Sequence, residues 1–472
     1  MFAACAALAG LSLLIPSAPT TDPWGWIVWG REVLHLDLNT VVPGPPSWKP
    51  LPVLITTPLA LTGAAAPTLW LFVARLGALA ALAVAARVAG RLAGRWAAVI
   101  AVAGLVLSTD WLRAFAHGYT EPLVVGLLLA AVDQHLSERP RRALGLAALA
   151  ALARPEALLA VAVYGAVQWR RGRLSLAVVA AVVAGVAALW IVPDWIGSGD
   201  PLHAGHVAGL VEGSGLAATL HAVRQGTTIL PWPLALTGVA GAAIALRRRD
   251  ARIVGIAAAA ITWGALATAL MLAGYPALGR FFTLPAGLWC VVGAAGAVWL
   301  VGAAREPRSR VLVATALALA ALPFAFVRAE HSAQEFADAT GRARLESQLI
   351  DAVERTEPAL RACGGPAMPA RLTWMKGAVA WELGVPLDRV RGVRTWGSRT
   401  YLARLSDADA RPLPWPSEQR VVRVGPGVTH GSGFLDPFAN ARLRIPGAPE
   451  TVAAADGRWR VVELSCGRPR SS

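Results

Sequence analysis

The chain has 472 residues, 56% hydrophobic and only 15% charged, with a mean hydropathy of +0.52 and a formal net charge of +15. So apolar a chain of this length is not a soluble protein. Nor does the positive balance indicate nucleic acid, because no basic stripe interleaved with aromatics is present. Heavy use of Ala, Arg, Gly and Pro with little Lys suggests a GC-rich genome.

Apolar runs near 2–18, 67–86, 96–109, 121–136, 143–153, 156–169, 173–193, 231–246, 253–274, 283–302 and 311–328 predict about eleven spans. The two at 143–169 are shorter than a full crossing and suit half-helices buried in protein. Leu51 to Gly63 is expected as a partial or interfacial helix entering the second span. The first run lacks a basic n-region and a clean small-x-small cleavage site, so it is taken as a span rather than a signal peptide.

Arginine clusters occupy every second connection: Arg87, Arg91 and Arg95; Arg139, Arg141 and Arg142; Arg170, Arg171 and Arg173; Arg247–Arg249 with Arg252; Arg305, Arg308 and Arg310. Cytoplasmic loops retain such cations, so these connections face inward and the chemically varied ones outward. An odd count of spans with the N-terminus inside leaves the C-terminus outside.

In the first outer loop, Thr21 or Asp22 is expected to cap a helix whose first residue is Pro23. Trp24, Ile27, Val28, Leu34 and Leu38 then share one side, with Arg31, Glu32 and His35 on another. A Trp-rich helix of this kind should lie flat at the lipid–water boundary. Asp22 is either a cap alone or a carboxylate with work to do just above the bilayer. Lys49, the only lysine of the membrane half, follows Pro45-Pro46-Ser47-Trp48. It is either a snorkelling cation or a point charge for a phosphate.

The second outer loop runs from Ser108 to Pro122 and contributes His117 and Glu121 as candidate substrate-binding residues. Glu121 opens the next span, where an acid requires a partner or a role. Ala153-Arg154-Pro155-Glu156 lies between two short apolar halves, which places an Arg154–Glu156 ion pair at their outer ends. A later outer loop carries Asp194, Trp195, Asp200, His203, His206 and His221; the spacing of His203 and His206 near Asp200 permits a metal, but no dense ligand set supports one. Before the tenth span stands Gly279-Arg280-Phe281-Phe282, where Arg280 is placed to bind an anionic head group.

From Glu330 onward the long apolar runs end, dividing the chain into a membrane domain, 1–329, and a small extracytoplasmic α/β domain, 330–472. Residues 333–362 predict one or two amphipathic helices, and Trp374–Leu383 another. Strand-like pieces fall at Arg371–Thr373, Val421–Val424, Arg442–Ile445 and Trp459–Leu464. Cys5 and Cys290 lie in spans, while Cys363 and Cys466 bracket the exterior domain and are expected to form a disulfide.

Several of these segments form one set. An acid just after the first span, a helix in the first outer loop, Glu121-Pro122 opening the fourth span and Ala151-Leu152-Ala153-Arg154-Pro155-Glu156 between short helices are four of them. Together with Gly279-Arg280-Phe281-Phe282-Thr283-Leu284-Pro285, they resemble the polytopic GT-C membrane glycosyltransferases, of an actinobacterial type. The resemblance covers most of 1–330 and implies an α-helical polytopic fold of GT-C type in the plasma membrane. It implies transfer of a hexose or pentose from a polyprenyl phosphate to an envelope glycan or glycoprotein on the outer face. By the same resemblance Asp22 is the catalytic base or metal-organising carboxylate. The adjacent second acid common in the family is absent, since Pro23 follows Asp22. From the chemistry alone, such a transfer needs a carboxylate to take the acceptor proton and cations to hold the departing phosphate. Asp22 is the candidate for the first role, and Lys49, Arg154 and Arg280 for the second. No cofactor is called for, although a divalent metal is compatible. The alternatives are a non-catalytic envelope scaffold with a GT-C-like bundle and a transporter, for which no inverted repeat is evident.

Overall fold

The structure is a computed structural model that describes residues 2–42, 46–210, 215–355, 367–368, 375–392, 401–404, 451–456 and 459–463. Each apolar run marked as a span has its helix. These are α1 (Phe2–Ser12), α4 (Ala66–Ala93), α5 (Arg95–Val106), α7 (Glu121–Leu136), α8 (Pro140–Ala151) and α9 (Ala157–Arg170), followed by α10 (Leu176–Ser198), α13 (Trp232–Arg248), α14 (Ala251–Leu272), α15 (Thr283–Ala303) and α16 (Pro307–Arg355). Between them lie α2 (Thr21–Leu34), α3 (Pro50–Leu59), α6 (Trp111–His117), α11 (His203–Leu210) and α12 (Leu216–Thr227). The expected partial helix entering the second span is α3, which continues through a short 3₁₀ turn into α4.

Among the described residues, five helices are long and apolar enough to cross a membrane on their own, and up to seven if two bent pairs each count as one. The bends are 67° between α5 and α6 and 86° between α12 and α13. The protein is a multi-pass membrane protein. Its shorter helices are tolerated because other parts of the chain satisfy their open ends. Arg75, buried inside α4, shows how. Its Nη1 donates to the Ser12 carbonyl at the end of α1 (2.8 Å), and its Nε to the Phe115 carbonyl in α6 (3.4 Å). At the opposite end of α4, Arg91 meets Asp133 of α7 at 2.6 Å.

The core is built from small side chains, as expected where helices must approach closely without a hydrophobic driving force. Ala78, Ala81, Ala85 and Ala89 of α4 are wholly buried, as are Ala294 and Ala295 of α15. The tightest crossing joins α13 to α15, where Gly241 meets Gly296 and a Cβ at Gly296 would run into the Thr237 carbonyl oxygen. By contrast, the apolar window of α16 is not buried at all, and Leu312, Leu319 and Phe326 face outward as lipid-facing residues do.

Two expectations change here. The first-loop helix does not lie flat on lipid with one wet face. Residues Asp22 through Gly30 are all buried, because α2 is enclosed by α3, α4, α16 and the short helix α17 (Lys376–Glu382). Second, the last apolar run and the amphipathic region after it are one 49-residue helix, α16. The residues across the junction, Arg328-Ala329-Glu330-His331, contain no helix breaker, so nothing stops the helix where the apolar composition ends.

The described C-terminal residues add a five-stranded sheet of order β2-β1-β3-β5-β4, from β1 (Ala367–Met368), β2 (Arg391–Gly392), β3 (Tyr401–Arg404), β4 (Thr451–Asp456) and β5 (Trp459–Glu463). β1 runs parallel to β2 and β3, while β3–β5 and β4–β5 are antiparallel. α17 and β5 fall where the sequence predicts a helix and a strand. The expected strands at 371–373, 421–424 and 442–445, and the pair Cys363–Cys466, lie outside the described residues.

Gly296→Ala should overpack the α13–α15 crossing against a backbone carbonyl that cannot rotate away, at a cost of about 1–3 kcal/mol. A lowered melting temperature in detergent checks this. Gly302→Ala on the same helix, where an added Cβ meets nothing within 4 Å, should be silent.

Candidate active site

Five charged residues from separate parts of the sequence meet where helices begin. Asp22 stands in the first turn of α2, Lys49 directly precedes α3, and Glu121 is the first residue of α7. Arg154 lies in the turn before α9, and Arg280 in a one-turn 3₁₀ segment (Gly279–Phe282) that leads into α15. Prolines sit in the first turns of α3 and α7, where a missing N–H costs nothing. Helix N-termini carry partial positive charge and unsatisfied N–H groups, so this is a place that attracts anions.

α2 begins at Thr21, two residues before the expected start at Pro23, and Thr20 caps it without a side-chain bond. Asp22 is therefore not the cap. Its Oδ1 accepts from the Ser47 backbone N–H (3.2 Å), and its Oδ2 from Arg280 Nη1 at 3.4 Å. The second contact is long for a charged pair, which leaves both groups able to take other partners.

Arg154 does not pair with its near neighbour Glu156. Its Nη2 is 2.5 Å from Glu121 Oε1, both side chains being almost fully buried. The sequence suggests a local pair because only Pro155 separates the two residues; the fold favours Glu121 because a buried carboxylate at the start of α7 has the greater need of a counter-ion. Lys49 donates to Thr120 Oγ1 at 3.1 Å and sits 4.8 Å from the centre of the Trp26 ring. Burial lowers its ammonium pKa to about 8, with Glu121 opposing the shift and Arg154 reinforcing it.

Asp22, Lys49, Arg154 and Arg280 line one cavity of about 360 Å³, with aromatic walls from Trp29, Trp48, Trp190, Tyr275 and Phe281. Among the described residues, Arg154 Nε, Arg280 Nε and Trp48 Nε1 have no hydrogen-bond partner, and all three side chains belong to residues lining that cavity. A second cavity of about 100 Å³ is bounded by Glu121, Tyr119, Asp110 and Arg113, with Arg280 in the wall of both.

His117 does not join this group. It is buried elsewhere, with Nδ1 at 3.1 Å from the Ala18 carbonyl, and lines neither cavity. His206 pairs at the surface with Asp200 (2.6 Å), whereas His203 lines the larger cavity. Among the described residues, no group of three or more His, Cys, Asp or Glu is arranged to hold a metal. One cavity residue was passed over in the sequence. Asp194 is buried, accepts from Thr40 Oγ1 (3.2 Å) and the Ala204 N–H (2.7 Å), and forms part of the wall. The sequence places it only among the polar residues of a later outer loop, directly after Pro193.

No protein-family model and no curated protein matches the chain. Solved structures do. The chain is similar to ArnT from Cupriavidus metallidurans bound to undecaprenyl phosphate, with 15% identity and a TM-score of 0.56 over 98% of this chain and 97% of that one. The apo state of the same protein gives 15% identity and a TM-score of 0.54, covering 98% and 96%. An oligosaccharyltransferase of Archaeoglobus fulgidus gives 15% identity and 0.48, covering 83% and 62%. The chain thus shares the fold of that ArnT structure over nearly its whole length.

The lowered pKa of Lys49 has a testable sign. Between about 8 and 10.5 the unfolded chain binds this proton more than the folded one does, so stability from this group rises with pH across that window. Affinity for an anion should move the opposite way, falling as Lys49 loses its charge above about 8. Melting curves from pH 7 upward, with and without inorganic phosphate, should show a ligand-induced shift that shrinks with pH. Lys49→Met should abolish most of that pH dependence; an unchanged profile would remove Lys49 from anion binding.

Proposed function

We propose that the protein transfers a sugar from a polyprenyl phosphate to an envelope acceptor at the outer face of the plasma membrane. The observation that carries this reading is one cavity holding Asp22 beside three cationic side chains, with three buried N–H donors left unpartnered. The similar ArnT structure holds undecaprenyl phosphate, which accords with a lipid phosphate here.

The reaction is a displacement at the anomeric carbon. An acceptor hydroxyl oxygen attacks C1 of the sugar, the bond from C1 to the phosphate oxygen breaks, and its electron pair leaves with the phosphate. The hydroxyl proton passes to the Asp22 carboxylate, giving a glycoside and free polyprenyl phosphate. Lys49, Arg154 and Arg280 stabilise the charge that grows on the departing phosphate in a site shielded from bulk water. One further donor, Trp48 Nε1, has no partner among the described residues. Glu121 holds Arg154 in place, so its part in substrate binding is exerted partly through that ion pair.

In this reading the eleven apolar helices all contribute crossings, some of them as half-spans buried in protein. Residues 330–472 form an exterior α/β domain, with Cys363 and Cys466 paired. The arginine clusters support this orientation. A reporter fused after Leu464 should be active only outside and one within Arg247–Arg252 only inside. The reverse pattern would place the site on the wrong face.

Asp22→Asn is the decisive variant. Asn still accepts from the Ser47 N–H but cannot take a proton or pair with Arg280. Transfer from a polyprenyl-phosphate sugar should fall by roughly 10²–10⁴-fold, with expression and melting temperature nearly unchanged. Full activity in Asp22→Asn would end the assignment of this residue as base. An inactive wild type that still binds the lipid phosphate would favour the scaffold reading instead.

A further inference from the structure

The two cavities that share Arg280 have mouths of opposite character. The larger is bordered by Ile191 and Leu202, 38% and 58% exposed, on the apolar outer part of α10 and the turn before α11. The smaller is bordered by Asp110 and Arg113, whose side chains are about half exposed and stand 3.7 Å apart. An isoprenyl chain suits the first mouth and is opposed by the second, where charged groups would lose their water.

At the inner end of the smaller cavity stands Glu121, only 5% exposed. Its Oε1 is held by Arg154, while its Oε2 has no hydrogen-bond partner from another of the described residues. A buried carboxylate oxygen without a donor is costly, and such exceptions call for an explanation. A hydroxyl group entering from the Asp110–Arg113 side would supply the missing donor. The remaining wall, which includes Trp111, Tyr119 and Thr283, combines an aromatic residue with hydroxyl-bearing ones, a composition that suits a saccharide edge. A cavity of about 100 Å³ admits part of a sugar ring rather than a whole oligosaccharide or a lipid chain.

We propose that the smaller cavity is the acceptor subsite, taking a water-borne saccharide with neighbouring hydroxyls that enters past Asp110 and Arg113. One hydroxyl donates to Glu121 Oε2 and anchors the ring; its neighbour is the nucleophile and gives its proton to Asp22. The lipid-linked donor then occupies the larger cavity, and Arg280, in the wall of both, stands between the two substrates. This assignment rests on the transferase reading above. It adds that the acceptor is a soluble glycan, not a membrane lipid, and that Glu121 contributes to its specificity.

The test uses the full-length protein in detergent or nanodiscs, with a polyprenyl-phosphate hexose or pentose radiolabelled in the sugar. Water-soluble envelope oligosaccharides and chloroform-extracted glycolipids are offered as separate acceptors. Label should pass to the soluble saccharides. Ala114→Leu, which adds volume only to the smaller cavity, should lower that transfer at least tenfold, while undecaprenyl phosphate still raises the melting temperature as in the wild type. Thr283→Val adds no volume and keeps the test valid if the larger side chain prevents folding. It should raise KM for the saccharide about fivefold, the worth of one hydrogen bond, without changing KM for the donor. Label in the glycolipid fraction alone, or wild-type transfer by both variants, would overturn the subsite while leaving the transferase reading intact. A wild type that undecaprenyl phosphate does not stabilise would overturn the transferase reading, and this assignment with it.

Discussion

The fold depends on one electrostatic constraint: five ionisable side chains at a single place, four of them nearly fully buried, must satisfy one another. Asp22 and Glu121 face Lys49, Arg154 and Arg280, three cations against two carboxylates. Removing such charges from water costs several kcal/mol each unless geometry and hydrogen bonds compensate. The Glu121–Arg154 pair is close but leaves Arg154 Nε and Glu121 Oε2 without a partner among the described residues, and the Asp22–Arg280 contact compensates only loosely. The residual charge is positive, and the beginnings of α2, α3, α7 and α15 add their partial positive ends to it. A scaffold without a ligand would gain by replacing these residues with well-packed apolar ones, so retaining so many charges accords with the proposed phosphate.

α2 carries that constraint to the rest of the chain. One part of it lines the cavity through Asp22 and Trp29. Elsewhere, Arg31 donates to the carbonyls of Ala380, Trp381 and Val385, closing the open end of α17 in the way a C-terminal cation does. Glu32 accepts from the Asn39 and Leu387 N–H groups, and burial raises its carboxyl pKa to about 7. Trp24 bonds Glu346 of α16, and Gly377 packs so closely on Trp24 that no Cβ would fit. Asp22 is thus held in position by residues more than 300 positions away. Its loose contact with Arg280 coexists with a helix that cannot move.

The sequence conveyed what is local and periodic. Apolar runs gave the helices, arginine clusters gave an orientation to test, and short motifs named four residues that do line one cavity. What was not legible depended on partners distant in sequence. Arg154 was assigned to Glu156 by proximity, whereas a residue 33 positions earlier holds it. His117 belonged to a suggestive loop, but its ring faces a backbone carbonyl. Arg75 was hidden inside an apolar run, and only the fold shows the two short helices whose ends it closes. The flat amphipathic helix at the lipid boundary was a reasonable inference from Trp24, Trp26 and Trp29, because enclosure by α16 and α17 leaves no periodic trace in α2 itself. Asp194 sat in plain view after Pro193, but an isolated acid gives no sign of the cavity it will border.

The breaks in the helices and the position of the site have one cause. Irregular backbone at membrane depth is tolerated only where protein or a water-filled cavity satisfies its polar groups. α6 is a single short helix set between Asp110, at φ +63°, and Gly118, at φ +74°. Trp70 Nε1 donates to the Gly118 carbonyl, and a Cβ at Gly118 would sit 3.0 Å from that nitrogen, close enough that the indole would have to shift. Those two turns deliver Tyr119 and Glu121 to the smaller cavity; the unwound stretch before α15 delivers Arg280, and the turn between α8 and α9 delivers Arg154. A continuous helix would have carried each of these side chains along its own axis, away from the others. Each interruption leaves N–H groups to be satisfied at a point where an anion is wanted, so the short spans are how the chain brings distant charges to one place.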